Sequence, residues 1–346
     1  MDSLKRICVC ATQIPFNRGG AEILTGNLVS RLQQRSYAVE QIQLPLQTSP
    51  LEEVVKGCLA WRMMNLERVA NDRIDLVIGT KFPSYMVPHP RKVIWLVHQY
   101  RAAYNLFDSM YSDLQNTSRE LQLRQYIIDL DQAAFYEAKR IFTISRTVTW
   151  RLKEYNGFES VPLYPPVDDA DQFRFDGLED FVLSVSRLEG DKRVHLLIEA
   201  MQFVSASFKA VIVGDGSLRA EHETLTRRLG LQDRILFAGA IPRAALLDYY
   251  SRAGAIFYGP FDEDYGYVTV EAFCSRKPVI TCHDSGSTLE FVDPGTGWIA
   301  GPDPKSVAAC IEDALSRKKE AKLRGEAGYE KIAYINWNYV LDHLLG

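Results

Sequence analysis

Between Tyr258 and Pro278 the chain reads YGPFDEDYGYVTVEAFCSRKP, a stretch with three clustered acids, Asp262, Glu263 and Asp264, and a fourth, Glu271, eight positions after Glu263. Ala255 to Tyr258 is apolar and strand-like, Gly259-Pro260 interrupts it, and a helical segment starts near Gly266. Glu263 therefore falls in a loop and Glu271 about one to two turns into the helix. The first helical amides, around Gly266, Tyr267 and Val268, lack a carbonyl partner within the helix and lie at the positive end of its dipole, which suits a phosphate. A pocket for a diphosphate carrying a hydroxyl-rich sugar needs these parts. The competing reading is a solvated loop acid and an exposed helix residue. For the acid pair alone that reading is preferred, and the rest of the chain reverses the preference.

In SRLEGDKRVHLLIEA, Arg187 and Lys192 stand between the apolar run Phe181 to Ser186 and a helical segment. Either cation alone reads as solvated charge. Gly214-Asp215-Gly216 makes a tight turn after the strand Lys209 to Val213, and Gly239 to Ile241 ends the strand Arg234 to Phe237 with backbone groups available to a base. Strand-to-helix turns favour glycine in any case. Near the amino terminus the strand Arg6 to Ala11 and the loop Thr12 to Gly20 lead into a helix from about Ala21 to Gln34, striped with Ile23, Leu24, Leu28 and Leu32. Gly19 and Gly20 at its start allow close approach of backbone to a ligand, without the glycine spacing of a dinucleotide site.

KVIWLV, Lys92 to Val97, is the continuous apolar run of a parallel strand buried on both faces. It delivers His98 at its carboxyl end, where open α/β sheets bind ligands, although a histidine that only ends a strand is as common. The following segment, HQYRAAYNLFDSMYSD, reads either as a loop facing a cleft, suited to a sugar acceptor, or as a partly buried surface loop.

These residues need a scaffold of alternating strands and helices. The first half shows further strands at Val39 to Leu44, Asp75 to Gly79 and Arg140 to Ile144. Its helices run from Leu51 to Val69, Arg119 to Lys139 and Thr147 to Tyr155, the last capped by Ser145. In the second half, strands at Phe181 to Ser186, Lys209 to Val213, Arg234 to Phe237, Ala255 to Tyr258, Pro278 to Thr281 and Trp298 to Ala300 alternate with helices, which predicts a parallel sheet covered on both faces. Tyr164-Pro165-Pro166-Val167-Asp168 marks the boundary between the halves, since two prolines continue neither a helix nor an interior strand. Asp169-Ala170-Asp171 matches a metal-binding D-x-D pattern but sits in the linker rather than at a strand end, so no metal is assigned to it. Tyr329 to Leu345 reads as helix with Trp337 inside it.

A chain of 346 residues predicts two domains. With 47% hydrophobic and 24% charged residues it is an ordinary globular composition, and a net charge of -4 gives no reason to expect nucleic acid as a partner. No apolar run reaches the ~18 to 20 residues of a membrane span, and MDSLKRICVCATQ lacks a secretory cleavage region, so the expected location is the cytoplasm. The six cysteines form no C-x-x-C pair and no zinc-spaced cluster, and read as buried free thiols. Arg317, Lys318, Lys319, Lys322 and Arg324 read first as a solvated helix face and second as a peripheral contact with an acceptor or with anionic lipid at the inner membrane face.

Taken together, Glu263, Gly266, Glu271, Arg187, Lys192, the glycine turns and Pro166-Val167-Asp168 resemble the signature of the retaining glycosyltransferases of GT-B fold. This is the group-1 family that includes glycogen-synthase-like and lipopolysaccharide mannosyltransferase-like enzymes. The resemblance covers nearly the whole chain and is strongest from Phe181 to Trp298. It implies an α/β architecture of two Rossmann-like domains whose parallel sheets face a central cleft. Residues 1–165 would form the acceptor-side domain, joined by a terminal helix, 328–346, that crosses back to it; residues 166–327 would form the nucleotide-sugar donor domain. The implied roles are a hold on donor-sugar hydroxyls by Glu263, on the ribose diol by Glu271 and on the diphosphate by Arg187 and Lys192. His98 would touch the sugar from the other domain, and Gly19 and Gly20 would reach the diphosphate. Gly214, Gly216, Ile241, Gly266, Tyr267 and Val268 would line the donor pocket. Tyr265 replaces the family's usual Phe, Arg276 its glycine before Lys-Pro, and Gly286-Ser287 its Gly-Gly; none of these removes a charge that the chemistry requires.

The implied activity is hexosyl transfer, with retained anomeric configuration, from a GDP- or UDP-sugar to a hydroxyl of a glycan, lipid-linked or small-molecule acceptor, in surface polysaccharide or lipopolysaccharide synthesis. No cofactor or metal is expected, because two cations and a helix end supply the positive charge. The alternative is a non-catalytic protein of the same fold that holds nucleotide sugar or glycan. A nicotinamide-dependent dehydrogenase comes third, disfavoured by the missing glycine fingerprint.

Overall fold

A computed structural model of the chain describes residues 5–15, 19–69, 72–109, 111–112, 114 and 116–346. The first four residues, Phe16 to Arg18 of the expected first loop, and Met110 and Asp113 of the Tyr- and Arg-rich segment lie outside the described residues. The chain divides into two compact units, Met1–Pro166 with Asn336–Gly346, and Val167–Ile335.

The first unit is built on a six-stranded parallel sheet in the order Ala38–Pro45, Arg6–Gln13, Leu76–Gly79, Lys92–Leu96, Arg140–Thr143, Val161–Pro162. Leu76–Gly79 and Lys92–Leu96 are buried along their whole length, as their continuous apolar runs predict for interior parallel strands. Even Lys92 is enclosed, its Nζ 3.0 Å from Glu137 Oε2. Ala38–Pro45, at the edge, is half-exposed.

Helix starts follow local chemistry. Thr117 and Glu120 cap each other at the head of Ser118–Tyr136, with Glu120 N donating to Thr117 Oγ1 (3.2 Å) and Thr117 N to Glu120 Oε2 (3.0 Å). Ser145 Oγ accepts from Val148 N at 3.1 Å at the head of Arg146–Asn156, which ends on Gly157 at φ 75°. The helix expected over Leu51 to Val69 stops at Arg62. Asn65 then forms a side-chain turn, accepting from Glu67 N at 3.0 Å, and Arg68–Val69 pairs antiparallel with Asp72–Arg73.

The carboxyl-terminal helix expected over Tyr329 to Leu345 is two helices, Lys318–Ile332 and Trp337–Leu345. The first stays with the second unit, so residues 328–335 do not return to the first. Gly325 and Gly328 explain why: a Cβ there would stand 2.1 Å from the Arg276 carbonyl oxygen and 2.2 Å from Phe273 Cδ1, so only bare glycine faces allow this packing. The chain rejoins the first unit at Asn336, whose Oδ1 accepts from Tyr339 N at 2.9 Å. Trp337 meets Trp95 edge-on at 6.2 Å, and Arg140 donates to the carbonyls of His343 and Leu344.

The second unit carries another six-stranded parallel sheet, in the order Ile235–Gly239, Lys209–Val213, Phe181–Val185, Ala255–Phe257, Val279–Cys282, Gly297–Ala300. Its core joins Val182, Ile212, Phe257 and Ile280 of the strands to Leu197 and Ile198 of one flanking helix and Ile311 and Leu315 of another. The strand order reverses between Phe181–Val185 and Ala255–Phe257. Open α/β sheets bind ligands beyond the carboxyl ends of strands flanking such a reversal.

Candidate functional site

The loops leaving those two strands carry the residues singled out in the sequence. After Phe181–Val185 come Arg187, exposed, and the short turn Gly190–Lys192; after Ala255–Phe257 come Gly259, Glu263 and Gly266. Lys192 Nζ donates to Glu263 Oε2 at 2.6 Å and lies 3.0 Å from Asp191 Oδ2. The Tyr258 hydroxyl donates to the same Glu263 oxygen at 2.7 Å. Burial pulls the Lys192 pKa down, but the charges of Glu263 and Asp191 outweigh it and hold the ammonium above its ordinary value. Lys192 therefore remains a cation in this enclosed position.

Glycines let these loops close on one another. Gly214, at φ 126°, would place a Cβ 1.9 Å from the Ser186 carbonyl oxygen, and Gly216 would place one 2.6 Å from that of Leu188. This turn thus lies flush against the segment that carries Arg187. Gly266, at φ 73°, precedes the helix Tyr267–Cys274, with Glu263 Cγ, Tyr258 and Thr288 Oγ1 around its missing side chain. Several buried polar atoms here, Ser186 Oγ, Tyr267 OH, Ser287 Oγ and Thr288 Oγ1, have no hydrogen-bond partner among the described residues. Groups of this kind are expected to bond a ligand or water.

Glu271, one turn into the same helix, is held on both oxygens. Arg243 Nη1 donates to Oε1 at 2.8 Å and Tyr250 OH to Oε2 at 3.0 Å. Burial raises the Glu271 pKa, opposed by the Arg243 guanidinium and the Tyr250 hydroxyl. Arg243 also grips both oxygens of Asp169, at 2.7 and 2.8 Å, so this acid of the D-x-D pattern is part of an ion-pair chain. No group of three or more His, Cys, Asp and Glu among the described residues is placed to hold a metal ion.

Ile241 is half-buried just before the helix Arg243–Arg252, and Val268 is half-buried in the first turn of Tyr267–Cys274. Gly19, Gly20 and His98 belong to the first unit. Gly19 N donates to Glu22 Oε2 at 2.8 Å, and Lys81 reaches the other oxygen of Glu22 at 3.3 Å. His98 is half-buried, its Nδ1 2.6 Å from the Gln99 carbonyl oxygen. In the Tyr- and Arg-rich segment, Tyr104 turns inward to donate to Asp131 at 2.7 Å, and Phe107 lies 3.8 Å beneath Arg124. The basic run near the carboxyl end is largely paired: Arg317 with Asp313, Lys318 with Asp180 and Arg324 with Glu320. No helix among the described residues is long and apolar enough to cross a membrane. Of the cysteines, 8, 10, 58, 274 and 282 are buried and 310 is half-buried, all as free thiols.

Sequence reasoning missed Arg193, Arg243, Tyr250, Tyr258 and Asp284. One signal was available: Arg193 and Arg243 both stand at the first position of a helix or just before it, where the dipole disfavours a cation unless an acid accompanies it.

Residues 168–331 match the family described as Glycosyl transferases group 1. Among curated relatives, the O-antigen chain mannosyltransferase RfbU of Salmonella typhimurium is 27% identical over 209 residues, 58% of this chain and 59% of that protein. The chain spans 28% to 59% of the length of the first such relatives. Among solved structures, sucrose-phosphate synthase of Thermosynechococcus elongatus superposes with a TM-score of 0.77 at 19% identity, covering 98% of this chain and 97% of that one. HepE of Anabaena, solved with UDP and glucose, gives 0.72 at 16% identity over 98% of each chain. These likenesses show the fold, two Rossmann-like units of the GT-B kind.

Proposed function

We propose that the protein is a glycosyltransferase that moves a hexose from a nucleoside-diphosphate sugar to a hydroxyl of a glycan or lipid-linked acceptor, with retention of anomeric configuration and without a metal. The observation that carries this reading is the Lys192–Glu263 pair at the sheet's reversal point, beside the left-handed Gly266 that opens a helix. A departing diphosphate needs positive charge, and Lys192, Arg187 and the helix amides supply it. Charge-assisted hydrogen bonds contribute about 1.5 to 3 kcal/mol each and the helix end up to about 2. Enzymes supply roughly 8 to 23 kcal/mol, so positioning and exclusion of water must add the remainder. Glu263 would hold donor-sugar hydroxyls and Glu271 the ribose diol.

UDP is the favoured nucleotide, on the UDP bound in the HepE structure of Anabaena, and GDP the second. Surface polysaccharide is the favoured acceptor class, on the name of the O-antigen relative. A melting-temperature comparison with UDP, GDP, ADP and their common sugar conjugates, each with chelator present, tests the donor site. A ligand at a hundred times its dissociation constant adds about 2.7 kcal/mol. Stabilisation by one base that survives chelator supports metal-free donor binding; no stabilisation by any of them overturns the reading. The anomeric configuration of a transferred sugar, read by proton coupling constants, tests retention.

A further inference from the structure

Arg193 has a role that the donor reading leaves unassigned. Its backbone sits at φ 50° and ψ 39°, a left-handed conformation uncommon for a residue with a long side chain, between the turn Gly190–Lys192 and the helix Val194–Ala200. Its side chain is 8% exposed and its guanidinium is held by several partners. Nε donates to the Gly259 carbonyl at 2.8 Å, Nη2 to the Pro260 carbonyl at 2.8 Å, and Nη1 and Nη2 to the two oxygens of Asp284 at 2.8 and 2.6 Å. One guanidinium thus ties together the loop leading to Glu263, the loop after Val279–Cys282 and the turn that ends in Lys192.

The backbone around it completes the frame. Phe261 N donates to the Asp191 carbonyl at 2.7 Å, Asp262 N to that of Asp284 at 2.9 Å, and Ser287 N to that of Glu263 at 3.0 Å. Gly286, at φ 60°, packs so closely that a Cβ would stand 2.5 Å from the Glu263 carbonyl oxygen. Asp262 itself is left-handed, at φ 46°. Two non-glycine residues in this conformation within one small frame mark a backbone over-determined by its contacts, as at sites where geometry must be fixed before a ligand arrives.

Resting on the donor reading, we propose that Arg193 is a positioning residue that fixes the Lys192–Glu263 geometry. Its left-handed turn directs Lys192 toward Glu263, and its guanidinium prevents the 259–263 loop from moving away. It touches neither sugar nor phosphate.

The test uses the full chain with Arg193→Gly, which accepts the same backbone angle but removes the clamp. Asp284→Asn is the milder variant should the first fail to fold, and both are combined with Glu263→Gln. Three readouts are taken: release of nucleoside diphosphate from UDP-glucose, GDP-mannose and ADP-glucose, affinity for UDP, GDP and ADP, and amide exchange of 259–264. The expected result is a loss of about ten- to a hundredfold in kcat with a smaller loss of nucleotide affinity, because Lys192 keeps its charge but not its fixed placement. Faster exchange at 259–264 should accompany it, with no further loss when Glu263→Gln is already present. Unchanged kcat in a destabilised variant, or a loss that multiplies with that of Glu263→Gln, overturns the proposal and leaves the donor reading standing. If the unaltered protein binds none of the three nucleotides, the donor reading fails. Amide exchange then decides the clamp alone, and unchanged exchange in Arg193→Gly and Asp284→Asn removes it.

Discussion

Lys192 Nζ stands 2.6 Å from Glu263 Oε2 across 71 residues of sequence, with only 13% and 15% of the two side chains exposed. Breaking a fully buried pair costs about 3 to 5 kcal/mol, and the residual exposure here lowers that to about 2 to 4 for Lys192→Met. The same variant removes a diphosphate contact worth about 1.5 to 3 kcal/mol, so affinity for the preferred nucleoside diphosphate should fall about ten- to a hundredfold. Glu263→Gln should instead lower turnover while leaving that affinity nearly intact, because Glu263 is assigned to the sugar. Calorimetry with UDP and GDP, beside donor hydrolysis rates, separates the two. Undiminished affinity in Lys192→Met would remove the lysine from the diphosphate site.

Arg243 and Tyr250 leave each oxygen of Glu271 a further lone pair for a ribose hydroxyl. If Glu271 holds the ribose diol, 2′-deoxy-UDP should bind about ten- to a hundredfold more weakly than UDP, the effect of one charge-assisted hydrogen bond. Glu271→Gln should compress that ratio, and Arg243→Ala should compress it less while lowering affinity for both. Equal discrimination in all three proteins, measured by competition binding, would exclude the diol contact.

The sheets were legible because interior parallel strands must be apolar without interruption. KVIWLV and the run at Phe181 announce themselves for that reason, and His98 and Arg187 could be placed at strand ends from composition alone. Capping chemistry is equally local, so Ser145 was readable. Arg193 and Arg243 showed only as cations at helix starts, and their partners were hidden, because the acids Asp284 and Asp169 lie 91 and 74 residues away and only the folded chain brings them together. The break between Ile332 and Trp337 was hidden for another reason: Ala333 to Ile335 contains neither Gly nor Pro, and the apolar period runs on through it.

Asp131, fully buried in the first unit, accepts from Tyr85 OH at 2.8 Å and Tyr104 OH at 2.7 Å, and burial pushes its pKa from 3.8 up to about 7. A carboxyl raised on folding favours the folded state when protonated, so its contribution is complete below about pH 4 and lost as pH rises through about 7. At about 1.4 kcal/mol per pH unit, roughly 2 to 3 kcal/mol should disappear between pH 5 and 7.5. Urea unfolding across that range should show the loss in the unaltered protein and a flatter profile in Asp131→Asn. Parallel profiles would place the titration elsewhere.

Lys277 poses the opposite case in the second unit. Its side chain is fully buried, its Nζ donates to the Gly177 carbonyl and lies 4.2 Å from the centre of the Phe175 ring, and burial brings its pKa down from 10.5 to about 7, against the pull of Asp176 and Glu179. An amine depressed on folding favours the folded state when neutral, so its contribution is complete above about pH 10.5 and lost as pH falls through about 7. Relative to Lys277→Met, which keeps the length of the chain but cannot titrate, the unaltered protein should gain roughly 2 to 3 kcal/mol between pH 7 and pH 9. Asp131, half ionised at pH 7, titrates alike in both proteins, so its contribution cancels in the difference between them. Unfolding curves for both proteins at half-unit intervals from pH 6.5 to 9.5 check it, and a constant difference across that range would show that Lys277 stays charged in its enclosure.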